Sequence, residues 1–367
     1  MSLVNEVDQP VSQSVFSKSR DMGHEQVVFC SDKATGLRAI IAIHNTVLGP
    51  SLGGTRMWNY ASEEAALTDV LRLSRGMTYK AAISGLNLGG GKAVIIGNPE
   101  KDKSEAMMRR FGRFVDSLGG RYITAEDVSM TVRDMEYIHM ETEFVTGLPP
   151  SQGGGGDPSL LTAYGAYLGM KGTAKKVFGS DSLSDKSVAV QGVGHVGSHL
   201  VEHLAKEGAK VFISDISEKK VAEVAKHTGA IPVNMNEIYD IDVDIYAPCA
   251  LGATLNDDTI PRLKASMVAG SANNQLEDEV KHGHMLLDKG IVYAPDFLIN
   301  AGGLINVGAE YYGPYNKEKA YSDAEKIYDT CIDIQNKADD ESLTPQEAAI
   351  KICEERMEQI GKIKLAY

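Results

Sequence analysis

Short β-branched runs alternate with stretches whose apolar residues recur at helical spacing, and this alternation organises most of the chain. Residues 26–32 and 37–47 read as paired strands joined by Lys33-Ala34-Thr35-Gly36. Ser62 opens a helix, with Glu63 and Glu64 in its first turn and Ala66, Val70, Leu73 and Met77 along one apolar face. A strand at 93–97, a helix at 103–118, a strand at 121–124 and a helical pattern around 130–141 follow, punctuated by Pro99 and Gly119-Gly120. The strongest break is Pro149-Pro150-Ser151-Gln152 with Gly153 to Gly156, read as a mobile connection between domains or a surface loop. Beyond it come a helix at 159–177 and strand-like runs at 244–247, 267–270 and 291–294, each ending in small or polar residues. Charged amphipathic helices near 318–335 and 344–363 close the chain, and residues 1 to about 17 read as loose. The pattern predicts an α/β protein whose second half is a doubly wound sheet, with ligands at the carboxyl ends of its strands.

Within that half, Val188-Ala189-Val190-Gln191 runs into Gly192-Val193-Gly194-His195-Val196-Gly197. A helix with Val196, Leu200 and Leu204 on one face follows, closed by Gly208, and Lys210 to Ser214 form a strand ending at Asp215. This is the dinucleotide fingerprint in its required setting of strand, turn, helix, strand and acid. Gly192 makes the turn, Gly194 admits the pyrophosphate and Gly197 lets helix and strand pack, while the helix N-terminus attracts the phosphates. Asp215 accepts ribose hydroxyls and repels a 2′-phosphate, and with no arginine beside it the reading is NAD rather than NADP. Asn273 and Asn274, after the 267–270 strand, read either as a turn or as groups that hydrogen-bond the nicotinamide amide.

In the first half, Met77-Thr78-Tyr79-Lys80 and Gly89-Gly90-Gly91-Lys92 place two lysines near apolar segments. The glycines predict an open loop that presents Lys92 at a strand mouth. A lysine against apolar walls with another ammonium nearby is destabilised in its charged form and suits general-base chemistry.

A net charge of −13 argues against nucleic acid and anionic membranes as partners. Cys30, Cys249, Cys331 and Cys353 are scattered, with no C-x-x-C, as in a reduced cytoplasmic protein. His282-Gly283-His284 lacks a third ligand nearby and reads as a solvated loop rather than a metal site. No apolar run spans a membrane, and the start lacks the basic-then-apolar order of a secretory signal.

The chain resembles the glutamate/leucine/phenylalanine/valine dehydrogenases. The likeness is carried by Gly49-Pro50-Ser51-Leu52-Gly53-Gly54-Thr55-Arg56-Met57-Trp58, Gly76-Met77-Thr78-Tyr79-Lys80 and Gly85-Leu86-Asn87-Leu88-Gly89-Gly90-Gly91-Lys92. It continues through Tyr122-Ile123-Thr124-Ala125-Glu126-Asp127-Val128, Tyr246-Ala247-Pro248-Cys249-Ala250-Leu251-Gly252-Ala253 and Asn300-Ala301-Gly302-Gly303, and runs from about residue 20 to near the C-terminus. The resemblance implies an α/β catalytic domain over 1–147, a Rossmann-type NAD domain over 148–344, a cleft between them, and C-terminal helices over 345–367 returning to the first domain. It implies interconversion of L-amino acids and 2-oxo acids with ammonia and NAD, in a homo-oligomer, commonly an octamer.

By the same resemblance, Lys92 is the general base, Asp127 handles the amino group and Lys80 meets the α-carboxylate. Leu52, Gly53, Ala125, Leu304 and Val307 contact the substrate, and Gly192, Val193, Gly194, His195, Val196, Gly197, Asp215, Thr162, Cys249, Ala250 and Asn273 contact the cofactor. Standing alone, Asp127 would read as an acid at a helix N-terminus. Leu52 stands where glutamate-using relatives carry a lysine, so the pocket is expected to be apolar and to prefer leucine, with isoleucine and valine accepted and phenylalanine poor. Alternatives are a phenylalanine or valine dehydrogenase of the same family and, further off, an NAD-binding regulatory protein. His195 and Gly197 depart from the commoner Asn and Ala of relatives without removing a glycine the fingerprint needs.

Overall fold

The structure, a computed structural model, describes residues 14–364 and divides into two compact units. The first unit runs to Thr46, then takes Pro50–Thr78 and Gly89–Phe144; the second takes Val47–Gly49, Tyr79–Leu88 and everything from Val145 onward.

The first unit contains α1 (Val15–Asp21), β1 (Gln26–Asp32), β2 (Leu37–Asn45), β3 (Ser51–Trp58), most of α2 (Glu63–Ile83), β4 (Gly89–Ile96), α3 (Glu105–Asp116), β5 (Tyr122–Glu126) and α4 (Val132–His139). Its sheet has the order β1-β2-β4-β3-β5, antiparallel between β1, β2 and β4 and parallel between β4, β3 and β5. Of the apolar stripe expected after Ser62, Ala66 and Val70 pack, together with Leu67 and Leu71, on Ile40, Ala42 and Val94 of the sheet, whereas Leu73 and Met77 lie outside this cluster and are half-buried. Ser62 caps the helix by accepting from the Ala65 N–H at 3.1 Å. The loose start differs from expectation over its last residues: Ser14 caps α1 by accepting from the Ser17 N–H, while residues 1–13 lie outside the described residues.

The second unit follows with α5 (Ser159–Phe178), β6 (Ser187–Gln191), α6 (His195–Glu207), β7 (Lys210–Ser214), α7 (Glu218–Thr228), β8 (Ile231–Pro232), β9 (Ile245–Pro248), β10 (Met267–Val268), α8 (Glu279–Asp288), β11 (Val292–Tyr293), α9 (Asp296–Ile299), α10 (Gly302–Tyr311), α11 (Lys317–Glu341) and α12 (Pro345–Lys364). Its parallel sheet has the order β11-β10-β9-β6-β7-β8, so the chain reverses direction across the sheet at β6. That reversal is the switch point at which doubly wound sheets bind dinucleotides. α12 holds the Tyr79–Leu88 segment of its own unit: Arg356 Nη1 donates to the Ala82 carbonyl at 2.6 Å and Nη2 to Asn87 Oδ1 at 3.1 Å.

Two loop readings are corrected. His282-Gly283-His284 lies inside α8, and His282 is buried, with Nε2 3.2 Å from Asp257 Oδ1 and Nδ1 accepting the Asp278 N–H. Asp278 at the N-cap supplies the helix signal that the His282-Gly283-His284 run obscures. The glycine run is a packed turn inside the second unit. A Cβ on Gly154 would stand 1.7 Å from the Leu148 carbonyl oxygen, and one on Gly155 would stand 2.6 Å from the Tyr315 ring. Glu310 of α10 accepts the N–H groups of Gly147 and Gly155 at 2.7 and 2.8 Å. Close approach explains Gly154 and Gly155, and positive φ, 88° and 72°, explains Gly153 and Gly156.

His44 supports the start of β4 from below. Its Nε2 meets the Met22 carbonyl at 3.1 Å, which only accepts, so Nδ1 is left to accept from the Thr78 hydroxyl at 2.8 Å. Burial, then His24 and Arg75, push the His44 imidazole down to about 4. The unfolded chain titrates near the ordinary histidine value, so between about pH 6.5 and 4 it binds a proton the folded chain refuses, and stability falls as pH falls. We expect this site to remove about 3 kcal/mol across that window. Urea unfolding midpoints of wild type and His44→Asn between pH 7 and 4.5 check it, the variant showing the flatter dependence.

Candidate functional site

In the first unit the reactive group is assembled on adjacent strands and covered by α2. Strand β4 begins at Gly89, so the glycine triplet is strand, and Lys92 lies within it, paired with Ala42 and 6% exposed. This corrects the open loop expected there. A Cβ on Gly90 would lie 2.1 Å from the Thr78 nitrogen, and one on Gly91 would lie 2.8 Å from Ser51 Oγ and the Tyr122 ring. The glycines let α2 and β3 approach the strand, and the strand alternation then puts Lys92 on the α2-covered face with Gly90 and Val94.

Asp127 stands just after β5, and Lys92 Nζ reaches its Oδ2 at 3.2 Å. The same oxygen accepts from Arg56 Nε at 3.0 Å, Arg56 Nη1 reaches Asp69 Oδ2 at 3.2 Å, and the Tyr60 hydroxyl donates to Asp69 Oδ2 at 2.5 Å. Burial alone would raise the Asp127 carboxyl, but the Lys92 ammonium and Arg56 guanidinium outweigh it and hold the group below the ordinary carboxylate range. Asp127 is therefore ionised at neutral pH. Gly54 makes room for it: a Cβ there would stand 2.8 Å from Asp127 Cβ. Sequence reasoning singled out Lys92 and Asp127 but missed Arg56, Asp69 and Tyr60. The available signal was a charged pair flanking an otherwise apolar strand and helix face.

The other expected residues of this unit line β3 and β5. Leu52 is 1% exposed and pairs with Gly90 on one side and Ile123 on the other; Gly53 pairs with Thr124 and Ala125 with Gly54. The Gly53 carbonyl accepts the buried Tyr122 hydroxyl at 2.7 Å, which fixes the backbone of the Leu52-Gly53 segment.

In the second unit the fingerprint takes the form its sequence requires. Gly192 has φ 100° and follows β6, Gly194 is the N-cap of α6 with no side chain capping the helix, and Gly208 ends it at φ 91°. A Cβ on Gly197 would lie 2.1 Å from the Gly192 carbonyl oxygen and 3.3 Å from Cys249, whereas one on Gly194 would meet nothing within 4 Å. Asp215 accepts the Val193 N–H at 2.9 Å and the Ser217 N–H at 2.9 Å, leaving lone pairs on both oxygens. The uncapped helix end, the open face of Gly194 and a carboxylate with acceptor capacity fit the pyrophosphate and ribose of a nicotinamide dinucleotide. His195 and Val196 begin α6 beside that face, and Ala250 backs the turn, 2.8 Å from where a Gly192 Cβ would be.

At the same sheet end, Lys80 Nζ donates to Asn273 Oδ1 at 3.1 Å and Asn300 Nδ2 donates to it at 2.7 Å. Thr162 donates to the Pro158 carbonyl at 2.8 Å, and its hydroxyl would stand 2.9 Å from a Cβ on Gly303, so the Gly302-Gly303 pair lets α5 and α10 touch. Leu304, buried, and Val307, half-buried, follow one turn apart on α10.

Comparison with known proteins agrees with this geometry. The profile of the Glu/Leu/Phe/Val dehydrogenase dimerisation domain matches residues 24–144, and that of the Glutamate/Leucine/Phenylalanine/Valine dehydrogenase domain matches 153–218 and 214–357. The chain belongs to this family of amino acid dehydrogenases. It is 56% identical over 353 residues to leucine dehydrogenase of Bacillus cereus, covering 96% of each chain, and 56% identical to leucine dehydrogenase of Geobacillus stearothermophilus at the same coverage. Among solved structures it resembles L-tryptophan dehydrogenase from Nostoc punctiforme, with a TM-score of 0.84, 48% identity, and coverage of 95% of this chain and 99% of that one. No helix among the described residues is long and apolar enough to cross a membrane.

The ion network makes a direct prediction. Arg56→Met leaves Asp69 without its cation and should lower stability by about 2–4 kcal/mol. Adding Asp69→Asn should return part of that loss, because the stranded charge goes with it. Urea unfolding of the two single variants and the double variant measures the coupling; strictly additive losses would show that Arg56 and Asp69 do not act together.

Proposed function

We propose that this protein catalyses the NAD-dependent, reversible oxidative deamination of L-leucine, and of isoleucine and valine, to the branched-chain 2-oxo acid and ammonium. The observation that carries the reading is the ion pair of buried Lys92 with half-buried Asp127 at 3.2 Å beside the apolar Leu52 strand. The two leucine dehydrogenases at 56% identity support leucine over the aromatic substrates.

In this reading Lys92, once its ammonium has shed its proton, takes the proton from the α-ammonium or from water at its Nζ, and Asp127, ionised, holds the nitrogen and balances positive charge developing near the α-carbon. Lys80 meets the α-carboxylate through charge-assisted hydrogen bonding. We assign Leu52, Gly53 and Ala125 of the first unit, and Leu304 and Val307 of the second, to contacts with the substrate. A second carboxylate beside Leu52 would be desolvated without a partner, which excludes glutamate. The N–H groups of Gly194 to Gly197 at the uncapped start of α6 hold the pyrophosphate, Asp215 holds the ribose and repels a 2′-phosphate, and Thr162, Cys249, Ala250 and Asn273 border the nicotinamide end. When bound, the nicotinamide supplies the hydride acceptor. We place the enzyme in the cytoplasm as a homo-oligomer, in line with the dimerisation-domain profile. We assign catalysis to the 1–147 region and cofactor binding to 148–344.

NADH oxidation with ammonium and, in turn, 4-methyl-2-oxopentanoate, 3-methyl-2-oxobutanoate, phenylpyruvate and 2-oxoglutarate tests this. We expect the first to be fastest, and Lys92→Ala to lower kcat by about 10²–10⁴-fold. Fastest turnover of phenylpyruvate would overturn the pocket assignment, and an unchanged kcat in Lys92→Ala would overturn the catalytic one.

A further inference from the structure

Asp296 has no part in the chemistry above, yet it is a carboxylate with only 7% of its surface exposed. It opens α9, and its Oδ2 accepts the backbone N–H of Gln275 at 2.9 Å. Gln275 is itself fully buried and commits its side chain to the same turn, with Nε2 donating to the carbonyls of Gly270 at 2.6 Å and Ala272 at 3.0 Å. At the other end of α9, Asn300 donates from Nδ2 to the Ser271 carbonyl at 3.2 Å and to Asn273 Oδ1 at 2.7 Å.

These contacts settle which way Asn273 faces. Carbonyls only accept, so Asn300 presents its nitrogen to the turn, and the Asn273 atom it meets is the oxygen. Lys80, which only donates, reaches that same oxygen at 3.1 Å. With Oδ1 engaged twice, what Asn273 offers a ligand is its Nδ2 donor, beside the Lys80 ammonium. The turn that holds this arrangement is strained: Asn274 has φ 51° and Ala253, whose N–H bonds the Asn274 carbonyl at 2.7 Å, has φ 57°. A strained turn keeps its shape only when anchored from outside.

We propose that Asp296 is a positioning residue: by gripping the Gln275 N–H and standing near Lys80, it fixes the 271–275 turn so that Asn273 and Lys80 present their donors together to an anionic or carbonyl oxygen of the ligand. This rests on the dehydrogenase reading of the site only for the identity of that ligand. Burial raises the Asp296 carboxyl to about 6, against the Gln275 N–H and Lys80, which lower it, and with Glu279, which raises it. The groups facing it are Lys80 from α2, Glu279 from α8 and Tyr293 from β11, whose hydroxyl accepts the Asp296 N–H at 3.3 Å. Its folded value lies above the ordinary one, so the carboxylate is present above about pH 6 and is lost as pH falls through that value. The negative charge near Lys80 goes with it.

Asp296→Asn keeps an acceptor for Gln275 but does not titrate; Asp296→Ala removes acceptor and charge. With 4-methyl-2-oxopentanoate, ammonium and NADH, we expect Asp296→Ala to raise the KM of the oxo acid by about tenfold or more with kcat changed less. Asp296→Asn should stay within about threefold of wild type at pH 8 and lose the fall of kcat/KM near pH 6. Hydrogen exchange of the peptide spanning 270–277 should speed up in Asp296→Ala and stay near wild type in Asp296→Asn. Identical pH profiles in wild type and Asp296→Asn, or unchanged exchange in Asp296→Ala, would overturn the proposal. Inactivity of the wild type with every oxo acid would instead overturn the functional reading, and the exchange measurement would still decide the role of Asp296.

Discussion

An ammonium enclosed in a sheet and paired with a half-buried carboxylate at a strand end has to be reconciled with burial, and the first unit is arranged around that constraint. Lys92 and Asp127 each lose water, and their attraction at 3.2 Å repays the loss only if the remaining donors and acceptors are satisfied. Arg56, Asp69 and Tyr60 supply that completion, extending the pair into a chain of alternating charge. The chain keeps Asp127 ionised while leaving Lys92 anchored through Asp127 on one side. The glycines of β3 and β4 follow from the same constraint, since side chains at 54, 90 or 91 would push apart the strands and helix that bring these groups together.

The second unit meets a different requirement, the binding of a charged cofactor by backbone. Its sheet reverses at β6, where an uncapped helix end and the Asp215 carboxylate lie together. Beside it, the 271–275 turn is braced by Gln275, Asp296 and Asn300, whose hydrogen bonds nearly all go to backbone atoms or to Asn273. The pairing is one-sided: the donors of Gln275 and Asn300 are engaged, while Gln275 Oε1 and Asn300 Oδ1 are buried without a hydrogen-bond partner. The turn meets Lys80, carried at the end of α2, through Asn273 within one compact unit.

Much of this was legible in the chain. The strand at 26–32, the fingerprint helix closed by Gly208 and the strand from Lys210 to Ser214 follow from periodicity and turn residues, because each is fixed by contacts close in sequence. The misreadings share one cause. Gly89 to Gly91 and Gly153 to Gly156 look alike locally, as flexible glycine tracts, yet one is a strand interior and the other a packed turn. A glycine that permits φ > 0 and a glycine that permits close approach are indistinguishable until the approaching partner is known. His282 misled for the same reason, since its Asp257 partner lies far back in the chain.

The sequence by itself determined the alternation of strand and helix, the dinucleotide fingerprint with its acid, and the candidacy of Lys92 and Lys80, since these depend on residue type and short-range spacing, whereas Asp127 stood out only through the family resemblance. Only the tertiary structure decided that Lys92 is enclosed within a strand, that Arg56 and Asp69 complete its ion network, and that Asn300 and Lys80 both meet the Asn273 amide oxygen. Those arrangements are set by distances between residues far apart in the chain, and burial converts such distances into charge state and hydrogen-bond direction.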